Sequence, residues 1–152
     1  MIDFKSLNSN QRFFLNILVP LLYLFPLVFA YLGPKNFGFG IRGLVYAGLT
    51  VGAVGVLLWM AAMWSLGSSL AVLPGTDKLV TKGLYRIFRH PVYIGIVLTL
   101  TGLFVACGSA PSLIYVLVVV IPLNIFRAKA EEKVLLEQLG PAYKQYKDAT
   151  FF

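Results

Sequence analysis

Long apolar runs separated by short polar clusters set the pattern of this chain. Phe13–Leu32 is about twenty residues of nearly unbroken hydrocarbon, and Leu44–Leu66 is a second such run. A third, Val92–Phe126, would extend roughly 50 Å as one helix at 1.5 Å per residue, too far for a single crossing. Gly108-Ser109-Ala110-Pro111 is a turn signal near its middle, so this run is predicted to be a hairpin of two rather short helices. The pattern therefore predicts an all-α integral membrane bundle of four transmembrane helices, with spans at about residues 13–32, 44–66, 92–108 and 111–126. Kinks are expected near Pro20 and Pro26 in the first span. An interfacial loop joins spans two and three, and a C-terminal amphipathic helix continues from span four.

Composition agrees with lipid as the solvent. The chain has 152 residues, of which 59% are hydrophobic and only 12% charged, and the charges avoid the apolar runs. One membrane domain spanning residues 1–152 is expected, since the length leaves no room for a separate soluble domain. The net charge of +7 would suit nucleic acid, but the basic residues flank apolar spans, so the expected partner is a lipid bilayer and no nucleic acid. Lys5 and Arg12 precede span one, while Lys78, Lys82, Arg86 and Arg89 lie between spans two and three. Arg127, Lys129, Lys133, Lys144 and Lys147 follow span four, against only Lys35 and Arg42 on the other side. The positive-inside rule then puts both termini, the long loop and the tail in the cytoplasm. Oligomeric state is not legible.

Cys107 is alone and His90 is the single histidine, which excludes an intrachain disulfide, a CxxC site, structural zinc and bis-histidine haem. No metal site is expected. The first apolar run is longer than a signal-peptide core, carries two prolines and has no clear cleavage site, so it is read as a span.

Two polar clusters bound the 92–126 hairpin, and the hairpin would bring them to one membrane face. In the loop Gly67–His90, Pro74-Gly75 makes a turn. Lys78, Lys82, Arg86 and Arg89 then recur at helical spacing among Leu79, Val80, Leu84, Ile87 and Phe88, as in an interfacial amphipathic segment. Attraction to headgroups alone would account for some of these charges. His90-Pro91 suits a helix start, with Pro91 in the first turn and Tyr93 close behind. A helix N-terminus there would favour a ligand carboxylate, although an isolated interfacial histidine and tyrosine need no ligand. Arg127 and Glu131, four residues apart, share a helical face. As an ordinary ion pair they would contribute a few tenths of a kcal/mol; as a site, the carboxylate suits a ribose diol or a cationic amine and the arginine an anion. In the tail, Gly140-Pro141 ends the amphipathic helix, and Tyr143 and Tyr146 recur three apart.

Gly38-Phe39-Gly40-Ile41-Arg42-Gly43 fits the G-x-G-x-x-G pattern but lacks the preceding strand that pattern requires, and is rejected as a dinucleotide site. Gly48, Gly52 and Gly55 form a small-residue face on span two, which close helix packing explains.

The stretch Leu79-Val80-Thr81, Gly83-x-Tyr85, Arg89-His90-Pro91-x-Tyr93-x-Gly95, followed by Glu131-Glu132-x2-Leu135-x4-Gly140-x2-Tyr143-x2-Tyr146, resembles the isoprenylcysteine carboxyl methyltransferase and phospholipid methyltransferase family of integral membrane enzymes. The resemblance covers about half the chain, roughly Leu66 to Lys147. It implies an S-adenosylmethionine-dependent methyltransferase without a Rossmann domain, with a cofactor region at about 77–93 plus 127–146. It further implies that Leu79, Val80, Tyr85, His90, Pro91, Val92, Tyr93 and Glu131 line the cofactor pocket and that Arg127 positions the methyl acceptor. Asp77 stands where the family's eukaryotic members have histidine, which leaves one cofactor contact open.

The expected acceptor is a lipophilic one, an isoprenylcysteine-type carboxylate or another small lipid-soluble molecule, with a phospholipid amine as the alternative. A carboxylate is already ionised at neutral pH and needs no general base, so the lack of an obvious catalytic dyad does not count against methyl transfer. A sterol-type reductase ranks lower because Glu131-Glu132 suits the methyltransferase tail, and a glutathione-using membrane enzyme would match in size but not in motifs. A transporter would call for an acid within a span, and all six acids lie outside the spans.

Overall fold

The computed structural model describes residues 9–35, 37–38, 41–67 and 79–152, and over these the chain is all-α. Helix α1 is Ser9–Leu32 and contains both Pro20 and Pro26. Helix α2 is Arg42–Leu66. After a short 3-10 turn at Gly83–Arg86, α3 runs Pro91–Cys107 and α4 runs Ala110–Leu139. Helix α5, Pro141–Asp148, closes the chain. Pro74, Gly75, Asp77 and Lys78 of the loop lie outside the described residues, as do Phe39 and Gly40 of the glycine pattern.

The hairpin over 92–126 is present. Gly108 ends α3 in the left-handed region at φ 66°, which a side chain would resist. Ser109 follows it, and Pro111 occupies the first turn of α4. At the same end, Ser112 donates to the Pro26 carbonyl at 2.8 Å and fastens α4 to α1.

The amphipathic tail continues from span four as expected: helix α4 carries the apolar span without a break into the polar tail, as far as Leu139. Arg127, Glu131 and Glu132 therefore stand on the same rod as the span beneath them. Within that rod, Val116–Val120 is π-helical, and Ile121 N–H reaches Val116 O. Pro122 gives the reason: it has no N–H for the usual bond four residues back, and its ring would press on that carbonyl, so the wider turn precedes it. Val116 and Val120 pack with Phe104 to form the buried apolar core.

Helices α2 and α3 are the most intimately packed pair. Their backbones touch: a Cβ on Gly48 would lie 2.6 Å from Ala106 N, and one on Gly95 would lie 2.7 Å from Trp59 N. Such approach, available only to small residues, is how helices associate where lipid removes the hydrophobic incentive. Helix α1 packs instead on α4.

Arg42–Leu66 and Ala110–Leu139 are long and apolar enough to cross a membrane, and Ile17–Leu32 and Pro91–Cys107 are shorter apolar helices. Large apolar side chains face outward along α1 and α2, with Trp64 90% exposed, a surface suited to hydrocarbon rather than water.

Candidate active site

At the end of the bundle where α2 finishes and α3 begins, a cavity of about 290 Å³ opens between the helices. Leu79, Val80, Tyr85, His90, Val92, Tyr93, Arg127 and Glu131 all line it. Pro91 does not; it is buried in the first turn of α3 and sets the direction in which that helix starts. The geometry thus brings together two segments about forty residues apart in sequence, as the hairpin requires.

The loop between α2 and α3 reaches the cavity differently from the expected amphipathic segment. From residue 79 the chain is irregular, then forms the 3-10 turn Gly83–Arg86. Gly83, at φ 59°, permits this turn and leaves no room for a side chain against the Ser65 hydroxyl. Lys82 and Arg86 face outward, as headgroup-facing charges would. Arg89 does not: its side chain is only 15% exposed and its Nε donates to Glu132 Oε1 at 2.9 Å.

His90 caps α3 and is buried between two carboxylates. Nδ1 lies 3.5 Å from Glu131 Oε2, and Nε2 lies 3.5 Å from Glu132 Oε1. The latter is ionic range without a hydrogen bond, so Nε2 remains a buried polar atom lacking a hydrogen-bond partner. Tyr93 stacks on the imidazole at 5.6 Å between ring centres and donates its hydroxyl to Glu131 Oε2 at 3.2 Å. The Arg127 guanidinium lies over the Tyr93 ring, 5.3 Å from its centre, and donates to the Tyr23 hydroxyl at 3.3 Å.

A latch behind these groups was not foreseen. Glu132 accepts from Arg89 on one oxygen and from Lys147 on the other, the latter at 2.7 Å. Arg89 Nη1 also donates to the carbonyls of Lys147 and Thr150, at 2.9 and 2.6 Å. Burial pushes the Glu132 carboxyl up, but the Lys147 hydrogen bond and the charges of Lys147, Arg89 and His90 outweigh it and hold the carboxyl below its ordinary value. The backbone completes the latch. Phe151 N–H donates to Ile87 O, Arg89 N–H to Phe151 O, both at 2.8 Å, and the Phe152 ring meets His90.

Helix α5 supplies Tyr143 and Tyr146 to the cavity wall. Tyr146 donates to the Tyr85 carbonyl at 2.7 Å. Burial raises its phenol to about 12, against a smaller opposing effect of Arg89, so it remains a donor at any physiological pH. Tyr23, Trp59 and Met63 complete the apolar side. These three come from α1 and α2, where sequence offered only generic apolar character.

Aromatic walls, the Glu131 carboxylate and the Arg89 and Arg127 guanidinium groups at the polar end, and an apolar remainder are the makings of a site for a cationic cofactor beside a lipophilic substrate. The phospholipid methyltransferase family model matches residues 44–142, about two thirds of the chain. The chain belongs to that family. No curated protein and no solved structure matches it. Members of the family are methyltransferases, so this chain is an enzyme of methyl transfer, and such enzymes generally use S-adenosylmethionine. The matched segment takes in α2, α3 and α4 but not α1.

Proposed function

We propose that this methyltransferase transfers the methyl group of S-adenosylmethionine to a lipophilic carboxylate, with His90, Tyr93 and Glu131 on the cofactor side of the cavity and Arg127 on the acceptor side. The observation that carries this reading is the convergence of all four side chains on one cavity. That cavity lies near the lower end of the roughly 300–1,000 Å³ usual for ligand pockets.

The residues fit the cofactor. Glu131 offers a carboxylate to an amino group or a ribose diol, and His90 Nε2 is a buried polar atom with hydrogen-bonding capacity to spare. Tyr85, Tyr93, Tyr143 and Tyr146 give aromatic faces, which favour a cation such as a sulfonium. Leu79 and Val80 add apolar contact from the loop. When bound, S-adenosylmethionine supplies a methyl group already activated on a positively charged sulfur. What remains for the protein is alignment, a contribution of several kcal/mol when reacting atoms are held in line. Arg127 holds an anionic acceptor by a planar fork of donors, and the carboxylate, being ionised, requires no base. A phospholipid amine is the second reading, favoured by the name of the family whose model matches.

All four apolar helices cross the bilayer in this reading, with both termini and the cavity on the cytoplasmic side. The balance of basic residues supports that orientation. The acceptor reaches the cavity from the bilayer, along the wall formed by Val19, Tyr23, Trp59 and Met63. Incubating purified protein with radiolabelled S-adenosylmethionine and matched lipophilic carboxylates and amines tests the proposal. Label appearing in a base-labile ester is the expected result; label only in the amine gives the second reading, and none in any acceptor overturns both.

A further inference from the structure

Helix α1 lies outside the family match, yet it sends one polar group into the cavity. The Tyr23 hydroxyl donates to Asn124 Oδ1 and accepts from Arg127 Nη1 at 3.3 Å. Asn124 and Arg127 are three residues apart on α4 and so share a face. The link continues through the guanidinium, stacked at 5.3 Å over Tyr93, to Glu131. One polar chain therefore runs from α1 through α4 to α3, across the cavity wall.

Asn124 is out of place by the criterion of stability. It is 3% exposed, in the apolar part of α4, and its Nδ2 has no hydrogen-bond partner. An amide so placed is costly, and an apolar residue of similar size would not incur that cost. Its carbonyl does one thing: it takes the Tyr23 proton. A tyrosine hydroxyl has one proton and is otherwise an acceptor. With the proton committed to Asn124, the lone pairs are left to Arg127. Without that direction, the proton is free to turn toward the guanidinium and repel it.

We propose that Tyr23, oriented by Asn124, positions the Arg127 guanidinium for a lipophilic carboxylate and so sets the enzyme's preference for an anionic over an aminated headgroup. This rests on the assignment of Arg127 to the acceptor given above. Tyr23 and Asn124 are positioning residues that act through Arg127. A fixed guanidinium rewards a carboxylate with two parallel donors and repels an ammonium group.

Trp59 lines the cavity, and Trp64→Phe leaves it as the sole tryptophan. Saturable quenching of Trp59 by stearate and by stearylamine carrying the same nitroxide label then reads both headgroups on one apolar chain. Tyr23→Phe, which keeps the ring, is expected to weaken stearate binding about tenfold, the usual effect of a hydrogen bond to a charged group. Stearylamine and S-adenosylhomocysteine affinities should change less than about twofold. Asn124→Leu should act in the same direction, and the double variant should be no worse than Tyr23→Phe, because Asn124 acts through Tyr23. Asn124→Leu retains the tyrosine and carries the test should Tyr23→Phe unfold the protein. Unchanged stearate affinity in both variants, or additive losses in the double variant, overturns the inference while leaving the methyltransferase reading intact. A wild type that binds both probes equally removes the anionic acceptor itself, and this inference with it.

Discussion

Glu131 turns its carboxylate into the cavity, where the Tyr93 hydroxyl donates to it at 3.2 Å and His90 stands 3.5 Å away. Its neighbour Glu132 meets the other edge of the His90 ring and joins Arg89 to Lys147. Adjacent positions on a helix are separated by about 100°, so two neighbouring glutamates have different surroundings and different consequences when changed. Glu131→Ala is expected to weaken S-adenosylhomocysteine binding about tenfold or more in detergent calorimetry, the scale for a charge-assisted hydrogen bond. Unchanged affinity would remove Glu131 from the pocket. Arg127→Lys should separate the two halves of the site. Lysine keeps the charge but loses the fork, so turnover is expected to drop at least tenfold while cofactor affinity stays within about twofold. If Arg127 were only a surface ion-pair partner, the substitution would be nearly silent in both assays, and normal turnover would defeat the acceptor role.

The tail is where element and site become one object. Helix α5 and the residues after it fold back so that Phe151 pairs with Phe88, and Glu132 ties that return to Arg89 beside the His90 cap. The Glu132 carboxyl is held below its ordinary value of 4.5, so the native form binds fewer protons than the unfolded one in that range. Its stabilising contribution is complete above that ordinary value and is lost as pH falls through the lowered one. Hydrogen exchange at the backbone amides of Arg89 and Phe151 should therefore stay slow to below about pH 4.5 after correction for intrinsic rates, then accelerate. In Glu132→Gln the acid step should vanish, with exchange faster at neutral pH. An unaltered acid step in that variant would assign it to another group. Much of the site was legible in sequence for a simple reason. His90-Pro91 and Arg127 to Glu131 flank one hairpin, and a turn at Gly108 must return the second cluster to the first. The latch was less legible. Arg89 carries the same charge as Arg86 and recurs at the same spacing, and only the 3-10 turn decides that one faces outward and the other inward. The wide turn before Pro122 had a local signal in the proline itself, but Tyr23 and Asn124 had none. Each is one polar group in an apolar run, and the two lie 101 residues apart.

For the molecule as a whole, the helices alternate in direction, and this puts chemistry at one end and plain turns at the other. Phe37 N–H donates to Gly108 O at 3.0 Å, so the α1–α2 connection and the α3–α4 turn meet at the end remote from the cavity. Among the described residues, Lys35 and Arg42 are the basic residues near that end, whereas Arg86, Arg89, Arg127, Lys144 and Lys147 gather at the other. Moving the crowded end across a membrane would carry several charges, each costing about 2.5 kcal/mol or more at the bilayer centre, against two for the sparse end. The cavity end should therefore face the cytoplasm. Cys107→Ser supplies a cysteine-free background, since the chain has one cysteine. Single cysteines at Lys35 and at Lys144 are then exposed to a membrane-impermeant maleimide in intact cells and in inverted vesicles. Lys35→Cys should label in cells and Lys144→Cys in inverted vesicles. Labelling of both from one side would mean that the number of crossings between them is even, which a bundle with Lys35 after one span and Lys144 after four cannot give. Labelling of each from the opposite side would keep the four crossings and reverse the orientation, putting the cavity outside the cytoplasm.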